Sequence, residues 1–224
     1  MTDGFTDLID RSNTFFSELA QNNRKDWFEP RKAQFVDEIK KPAELFMTIL
    51  AEDIARLTGI AHAPKLFRIY RDVRFSKDKT PYNPHLHIMW SQPGDARPAW
   101  FFGSAPDYLI LGVGIMGLSG AALTQYRAYV DRHGDALAAA IADAKKSAEA
   151  EISDWGPESL KRVPKPYEPD HPQGDLLKRK ALAVTAPLAG NWRTSGLIRA
   201  TLGRAEGLLP VWRLMNEIGE LKVS

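Results

Sequence analysis

No cysteine occurs in the chain, and this absence removes several kinds of chemistry at once. Without a thiol there is no cysteine nucleophile, no disulfide and no thiolate ligand for a metal ion. The chain also has no apolar run near the roughly 18–20 residues that a membrane-spanning helix needs. Its N-terminus lacks the basic start and the apolar core of a signal peptide. The sequence therefore predicts a cytoplasmic protein that does not associate with a membrane.

A large net charge is also missing, because 30 basic residues nearly balance 28 acidic residues and leave a net charge of +2. This balance argues against a protein that coats a polyanion. The charge is unevenly placed, however. Residues 65–79 hold six basic and two acidic side chains, and residues 161–180 hold six basic and three acidic side chains. Two local basic clusters on a nearly neutral chain fit a small anionic ligand better than a long nucleic-acid track.

Hydrophobic content of 44% and charged content of 26% are those of an ordinary globular protein, and 224 residues suffice for one sizeable core. We therefore predict a single domain over residues 1–224. Apolar residues spaced three and four apart predict helices. The predicted helices are residues 6–21, a segment from near Arg24 that Pro42 breaks or kinks and Gly59 ends, two segments after Ser119 separated by Gly134, and residues 195–202 and 208–221.

Between the helical regions the chain has the alternation and turn residues of a sheet. The predicted strands are residues 66–73, 85–91, 98–104 and 107–115, with a further strand at residues 181–186. The first four are too closely spaced for helical crossovers, which favours an antiparallel meander. Residues 155–174 are rich in proline and are predicted to form an irregular arm. The fold class is therefore α+β: N-terminal helices, a central mostly antiparallel sheet and C-terminal helices.

The most unusual stretch is the run from Leu66 to Tyr82, which places five basic, two acidic and two tyrosine side chains in seventeen residues. Its first part alternates apolar and polar residues, which predicts a strand with one apolar and one charged face. Arg71 falls on the apolar face, so it must pair with an acid, reach an edge or lie in an exposed part of the sheet. After Phe75 the composition becomes that of a loop, where Pro81 disfavours helix.

The side chains of this run predict a site for a phosphate or carboxylate group. Arginine binds such groups through two parallel hydrogen bonds, and lysine adds point charge. Asp72 would orient the arginines, or act as a catalytic base if it is not fully paired. The alternative is a structural Arg–Asp network that pins the sheet to a helix. The predicted ligand-binding residues in the run are Arg68, Tyr70, Arg71, Asp72, Arg74, Ser76, Lys77, Lys79 and Tyr82.

Several residues outside the run Leu66–Tyr82 are weaker candidates for a functional site. Lys178 and Lys180 would add donors to the same site if the arm brings them beside it, and otherwise form a solvated run. His171 is a candidate general base, although a turn-stabilising contact is the simpler interpretation. His85 and His87 lie two apart on a predicted strand, so both rings can share a face and begin a metal site. Spacing places no third ligand, so a pair of half-exposed histidines is the simpler interpretation.

Three stretches together resemble the family known as domain of unknown function 2461, a group of mostly bacterial conserved proteins. They are the run Leu66–Tyr82, the segment Asn22–Phe28, and the segment from Leu160 to Lys180 that includes Asp170-His171-Pro172. This chain departs from the family pattern at Asn83-Pro84, where Lys-Thr is usual, and at Pro166, where Gly is usual. The family brings no established activity, so the resemblance supports the fold and the location of the site.

Two short motifs match enzyme patterns without the context that those patterns need. Ser76–Lys79 fits Ser-x-x-Lys, but the Thr-Pro that follows opposes the helix on which that motif depends. Gly112, Gly114 and Gly117 fit G-x-G-x-x-G without the surrounding βαβ pattern. Close backbone packing or a bulge explains these glycines more simply.

The leading functional hypothesis is therefore a protein that binds a small anionic ligand. If it is an enzyme, phosphoryl or acyl transfer or hydrolysis fits best, because charge stabilisation is what such a site supplies. A non-catalytic interaction module whose basic loop docks an acidic partner is one alternative, and nucleic-acid binding with aromatic stacking is another. The sequence identifies no cofactor.

Overall fold

The structure is a computed structural model that describes residues 3–221. Contacts divide the chain into two compact units. The first unit comprises the described residues up to Trp90, Phe102–Ile110 and Leu188–Gly203. The second unit comprises Ser91–Phe101, Leu111–Pro187 and the described residues from Arg204 onward. Each unit therefore collects segments that are distant in the sequence.

Helices precede and follow a six-stranded antiparallel sheet, as the sequence predicted for an α+β fold. The helices are α1 (Thr6–Gln21), α2 (Lys25–Phe28), α3 (Lys32–Gln34), α4 (Lys41–Thr58), α5 (Gly120–Ala148), α6 (Gly174–Leu177), α7 (Trp192–Ser195) and α8 (Leu197–Ile218). The strands are β1 (Ala63–Leu66), β2 (Leu86–Ser91), β3 (Ala99–Ala105), β4 (Tyr108–Ile115), β5 (Glu151–Ile152) and β6 (Leu182–Pro187). Their order in the sheet is β1-β2-β3-β4-β6-β5. Within residues 3–221, no helix has the length and apolar character needed to cross a membrane.

The N-terminal helices follow the apolar spacing of the sequence. Helix α1 has the predicted bounds, and Leu8, Phe15 and Leu19 on its apolar face are at most 4% exposed. Helix α4 ends at Thr58, because Gly59 adopts the left-handed conformation with φ +75° and closes the last turn. These predictions are confirmed.

The predicted break at Pro42 takes the form of a wider helical turn directly before the proline. Phe35–Lys40 is a π-helix, and the Lys41 N–H donates to the carbonyl of Val36, five residues earlier. Pro42 lacks an N–H and lies in the first turn of α4, where a proline is tolerated. The chain therefore stays helical through this region, with a local change in the direction of its side chains.

In the first unit, one face of β2 is buried, and Trp90 on this face is bonded to helix α4. Leu86, Ile88 and Trp90 alternate with half-buried residues and are at most 4% exposed. The Trp90 indole N–H donates to the carbonyl of Met47 at 2.9 Å. This alternation leaves the odd-numbered residues of β2 on the other face of the sheet, where His87 lies.

The predicted strand at residues 66–73 is wrong beyond its first residue, because β1 ends at Leu66. Phe67 is 43% exposed whereas Ile69 is 6% exposed, so only part of the predicted apolar face is buried. A strand would place the Arg71 guanidinium among apolar side chains, which costs desolvation free energy. In the loop that forms instead, Arg71 pairs with Asp78 at 2.5 Å. Of the three alternatives that the sequence left open for Arg71, pairing with an acid is the one found in the structure.

Two predicted helix boundaries are also wrong. Helix α5 runs uninterrupted through Gly134, where a Cβ would lie 2.8 Å from the side chain of Gln173. That glycine therefore serves close packing and does not end a helix. Helix α8 likewise runs through Pro210, so the two predicted C-terminal helices are one. Leu208 and Val211 beside the proline are fully buried, and their packing holds both sides of the helix in place.

Two glycines of β4 allow a close approach of β6. A Cβ on Gly112 would lie 2.8 Å from Cγ2 of Thr185, and a Cβ on Gly114 would lie 2.5 Å from the Cα of Ala183. Real Cβ atoms do not tolerate such distances to backbone. The interpretation of these glycines as sites of close packing is confirmed.

We expect Gly114→Ala to lower the free energy of unfolding by roughly 1–3 kcal/mol, because the added methyl group overpacks the β4–β6 contact. Gly203→Ala is the matched control, since a Cβ there meets nothing within 4 Å and alanine favours helix α8 by about 1 kcal/mol at most. Urea unfolding measures both variants. If Gly114→Ala unfolds at the same urea concentration as the wild-type protein, the close approach of β4 and β6 at Gly114 is contradicted.

Candidate functional site

The run that dominates the sequence forms a closed loop, which we call the basic loop (residues 71–81). An antiparallel bridge between Tyr70 and Tyr82 closes its base. The Arg71 N–H donates to the Pro81 carbonyl at 2.9 Å. The Asn23 side chain donates to the carbonyl of Tyr82 at 2.9 Å and accepts from its N–H at 3.1 Å. The base of the loop is therefore fixed to the segment that precedes α2.

Within the basic loop, Arg71 is held by the loop itself. Its guanidinium donates to Asp78 at 2.5 Å and to the Thr80 carbonyl at 3.1 Å, and it also contacts the Thr80 hydroxyl. The Thr80 N–H and the Arg71 guanidinium lower the pKa of Asp78 to about 2. Arg71 therefore acts as a tie across the loop.

The other loop cations have mostly local partners as well. Arg74 donates to both oxygens of Asp72, at 2.9 and 2.7 Å, and these bonds lower the pKa of that carboxyl. A lower pKa makes Asp72 a weaker base than a free carboxylate. Lys79 donates to the Val73 carbonyl at 2.9 Å. Lys77 is exposed.

A cavity of about 280 Å³ lies beside the loop, in the first unit. We call it the aromatic pocket. It is lined by Phe28, Lys32, Phe35, Val36, Lys40, Glu44, Leu66, Phe67, Arg68, Ile69 and Tyr70. Of the predicted ligand-binding residues, Arg68 and Tyr70 line this pocket. Four aromatic rings, three cationic side chains and one carboxylate therefore share one small cavity.

One wall of the aromatic pocket comes from the helical region around the π-helix. Phe35, Val36 and Lys40 belong to the π-helix itself, and Lys32 lies on α3. Lys40 is 3.6 Å from Glu44, in an ion pair between half-exposed side chains. π-Helical turns occur frequently at functional sites, because they redirect side chains from the regular helical spacing.

Sequence reasoning missed Lys32 and Lys40, which lie outside the basic run. A signal was present: Lys32, Phe35, Val36 and Lys40 recur at spacings of three, one and four residues, which puts charge and aromatic side chains on one helix face. A solvated helix face gives much the same pattern.

Tyr82 and Tyr70 have different environments. Tyr82 is 2% exposed, and its ring centroid lies 4.3 Å from that of Phe28. Burial raises the pKa of Tyr82. Tyr70 meets Phe28 edge-on at 5.9 Å and remains 41% exposed. Tyr82 is thus packed as part of the core, while Tyr70 is open to a ligand.

His85 and His87 share one face, with stacked rings whose centroids lie 3.8 Å apart. His87 Nε2 lies 2.7 Å from the Tyr108 hydroxyl. Burial lowers the pKa of His85, and burial together with the neighbouring His85 lowers the pKa of His87 to about 4. Across residues 3–221, no group of three or more histidine, cysteine, aspartate and glutamate side chains could hold a metal ion.

His171, Lys178 and Lys180 belong to the second unit. The Gln173 N–H donates to Nδ1 of His171 at 3.0 Å, and Nε2 lies 3.3 Å from Asp131. The ring is therefore engaged in a turn contact and an acidic contact. Lys178 pairs with Asp175 at 2.5 Å. The Lys180 carbonyl accepts the N–H of Leu118 at 2.8 Å.

The fold and the site define an α+β protein with a small aromatic and cationic pocket. A family model described as "Conserved hypothetical protein (DUF2461)" matches residues 11–206. The chain belongs to this family, which confirms the resemblance seen in its motifs. Comparison with curated proteins gives no match.

We expect Asn23→Ala to lower the free energy of unfolding by roughly 1–3 kcal/mol, because the backbone of Tyr82 loses two hydrogen bonds. The amide protons of Arg71 and Asn83, which bond across the loop base, should also exchange faster with solvent. Hydrogen exchange and urea unfolding measure these effects. The neighbouring Asn22→Ala, which removes a single exposed bond to Glu18, is the control and should differ little from wild type.

We expect the free energy of unfolding to fall as pH decreases from about 6.5 to about 4, because His87 has a lower pKa in the folded state than in the unfolded chain. In this window the unfolded state binds more protons, so acid favours unfolding. His87→Gln should flatten this part of the pH profile.

Urea unfolding at pH 7, 5.5 and 4.5 measures the profile. His133→Gln, at an exposed position of α5, is the control and should keep the wild-type dependence. Parallel profiles for His87→Gln and wild type would contradict the assignment.

Proposed function

We propose that the protein binds a small anionic ligand, bearing a phosphate or carboxylate group, in the aromatic pocket. The observation that supports this function is the charge of the cavity lining. The lining contains three basic side chains, Lys32, Lys40 and Arg68, and one acidic side chain, Glu44. A cavity with this excess of positive charge attracts an anion. A cytoplasmic location is part of the proposal, since a chain without cysteine suits a reducing compartment.

The pocket walls strengthen such binding. Apolar and aromatic side chains exclude water, and an ion pair formed beside them is screened less than one in open solvent. Arg68 can hold a phosphate or carboxylate through two parallel hydrogen bonds, which a lysine cannot do. The lysines would add charge from the helical wall. The same charges would stabilise the transition state of a hydrolysis or transfer reaction, should the ligand be a substrate.

The proposal gives the basic loop a supporting role. Arg71 and Arg74 pair with acids of the loop, and Lys79 bonds to a loop carbonyl. These contacts hold the shape of the loop, and the loop base holds Tyr70 beside the pocket. Arg68 lies before the loop and lines the pocket.

One observation favours a second candidate function, a module that docks another protein. Phe75 at the tip of the basic loop is 95% exposed, with the Arg74 guanidinium 5.9 Å from its ring centroid. An exposed aromatic ring among positive charges is a common feature of contact surfaces. The two functions use different residues, so they can be separated by mutation.

We expect inorganic phosphate or acetate, at about 100 times its dissociation constant, to stabilise the wild-type protein by roughly 2.7 kcal/mol. Arg68→Ala should lose most of this effect, because it removes the bidentate cation of the pocket. Thermal unfolding with and without each anion, at constant ionic strength, measures the stabilisation.

Arg74→Ala is the matched control, since Arg74 is 77% exposed in its side chain and pairs with Asp72 outside the pocket lining. It should respond to the anions as wild type does. Equal losses in both variants would point to general charge attraction. No stabilisation of wild type by either anion would overturn the proposal.

A further inference from the structure

We infer that the ligand of the aromatic pocket carries an aromatic ring next to its anionic group; this inference rests on the proposed function and narrows its ligand class. The pocket offers two kinds of contact in one cavity, aromatic faces and cations. A ligand with an anionic group alone would use only the second kind.

The exposed rings of the pocket are the first observation. Phe67 is 43% exposed and Tyr70 is 41% exposed, whereas Phe28 at the same cavity is fully buried. Phe28 already has a structural role, because its ring is packed in the hydrophobic core. Phe67 and Tyr70 leave apolar surface in contact with water inside a concave site, and a ring bound there would remove that surface from water.

The ring geometry is the second observation. Phe28 lies 5.8 Å from Phe35 and 5.9 Å from Tyr70, at interplanar angles of 57° and 78°. These tilted and edge-on arrangements are those that aromatic pairs prefer. Phe35 and Tyr70 both line the cavity, so a ligand ring placed between them would extend an aromatic cluster that begins in the core.

The placement of the cations is the third observation. Arg68 lies between Phe67 and Tyr70 in the chain, and Lys32 and Lys40 lie on either side of Phe35. Each of these two lining segments therefore carries both an aromatic ring and a positive charge. One molecule with a ring and an adjacent anionic group can contact both at once.

The size of the cavity limits the ligand. About 280 Å³ lies just below the roughly 300–1,000 Å³ typical of pockets for drug-sized ligands. The volume suits one ring system with one anionic group. An aromatic phosphate and an aromatic carboxylate share this chemistry, and the experiment separates them.

The test compares matched ligand pairs by titration calorimetry: phenyl phosphate with methyl phosphate, and benzoate with acetate. We expect the aromatic member of one pair to bind at least about tenfold more tightly, which corresponds to roughly 1.4 kcal/mol. The pair that shows the larger difference identifies the anionic group. Cyclohexyl phosphate measures how much of the gain comes from apolar burial alone, and it should bind more weakly than phenyl phosphate.

Phe67→Leu and Tyr70→Leu should each reduce the aromatic preference. This preference is the ratio of the two affinities within a pair, so a change in binding that affects both members equally cancels. Phe75→Leu is the control, because that exposed ring lies outside the pocket lining, and it should keep the wild-type preference. Both pocket variants remove half-exposed rings, so they should fold. Circular dichroism and thermal unfolding verify this.

The outcomes separate the inference from the function on which it rests. Equal affinities within both pairs, with binding that still depends on Arg68, would overturn the aromatic ligand and leave anion binding intact. An aromatic preference that survives both Phe67→Leu and Tyr70→Leu would also overturn it, since the ring would then bind elsewhere. No binding of any of the five probes would overturn the proposed function itself.

Discussion

The packing of Tyr82 against Phe28 is the contact on which the candidate site depends. The two ring centroids lie 4.3 Å apart, and Asn23 adds two hydrogen bonds to the backbone of Tyr82. A ring pair of this kind contributes about 0.5–1.5 kcal/mol beyond the burial of its surface. Because Tyr82 is bridged to Tyr70, the same contact fixes Tyr70 and the preceding Arg68 beside the pocket.

The ion pairs of the basic loop restrict its conformation more than they stabilise the fold. Arg74 and its partner Asp72 are both exposed, so solvent screens their attraction and the pair adds little to stability. Their value is geometric, since each pair limits the conformations of a long irregular segment. Arg71 is the more buried arginine, with a side chain 25% exposed, and it has the largest set of partners in the loop. The more buried Arg71 thus has more polar contacts than the exposed Arg74. This is expected, because a buried charge needs hydrogen bonds to replace the water that it loses.

The helical wall of the pocket shows how a local irregularity can bring charge and aromatic side chains together. Pro42 cannot donate a backbone hydrogen bond, and the π-helix lies directly before it. Phe35 and Lys40 both belong to that π-helix and both line the cavity. Lys40 also forms an ion pair at 3.6 Å with Glu44, one helical turn away. Apolar packing and positive charge are thereby compatible within one small site.

The sequence by itself determined the elements whose signals are local: the bounds of α1, the end of α4 at Gly59, and the strands β2 to β4 within about a residue. An unusual density of charge also drew attention to Arg68 and Tyr70, which the structure places in the lining of the aromatic pocket. Only the tertiary structure decided that residues 67–73 leave the sheet and that Lys32 and Lys40 face the same cavity. The physical reason is that periodicity reports which side chains share a face. It does not report which residue elsewhere in the chain each side chain will contact, such as Asp78 for Arg71 or Phe28 for Tyr82.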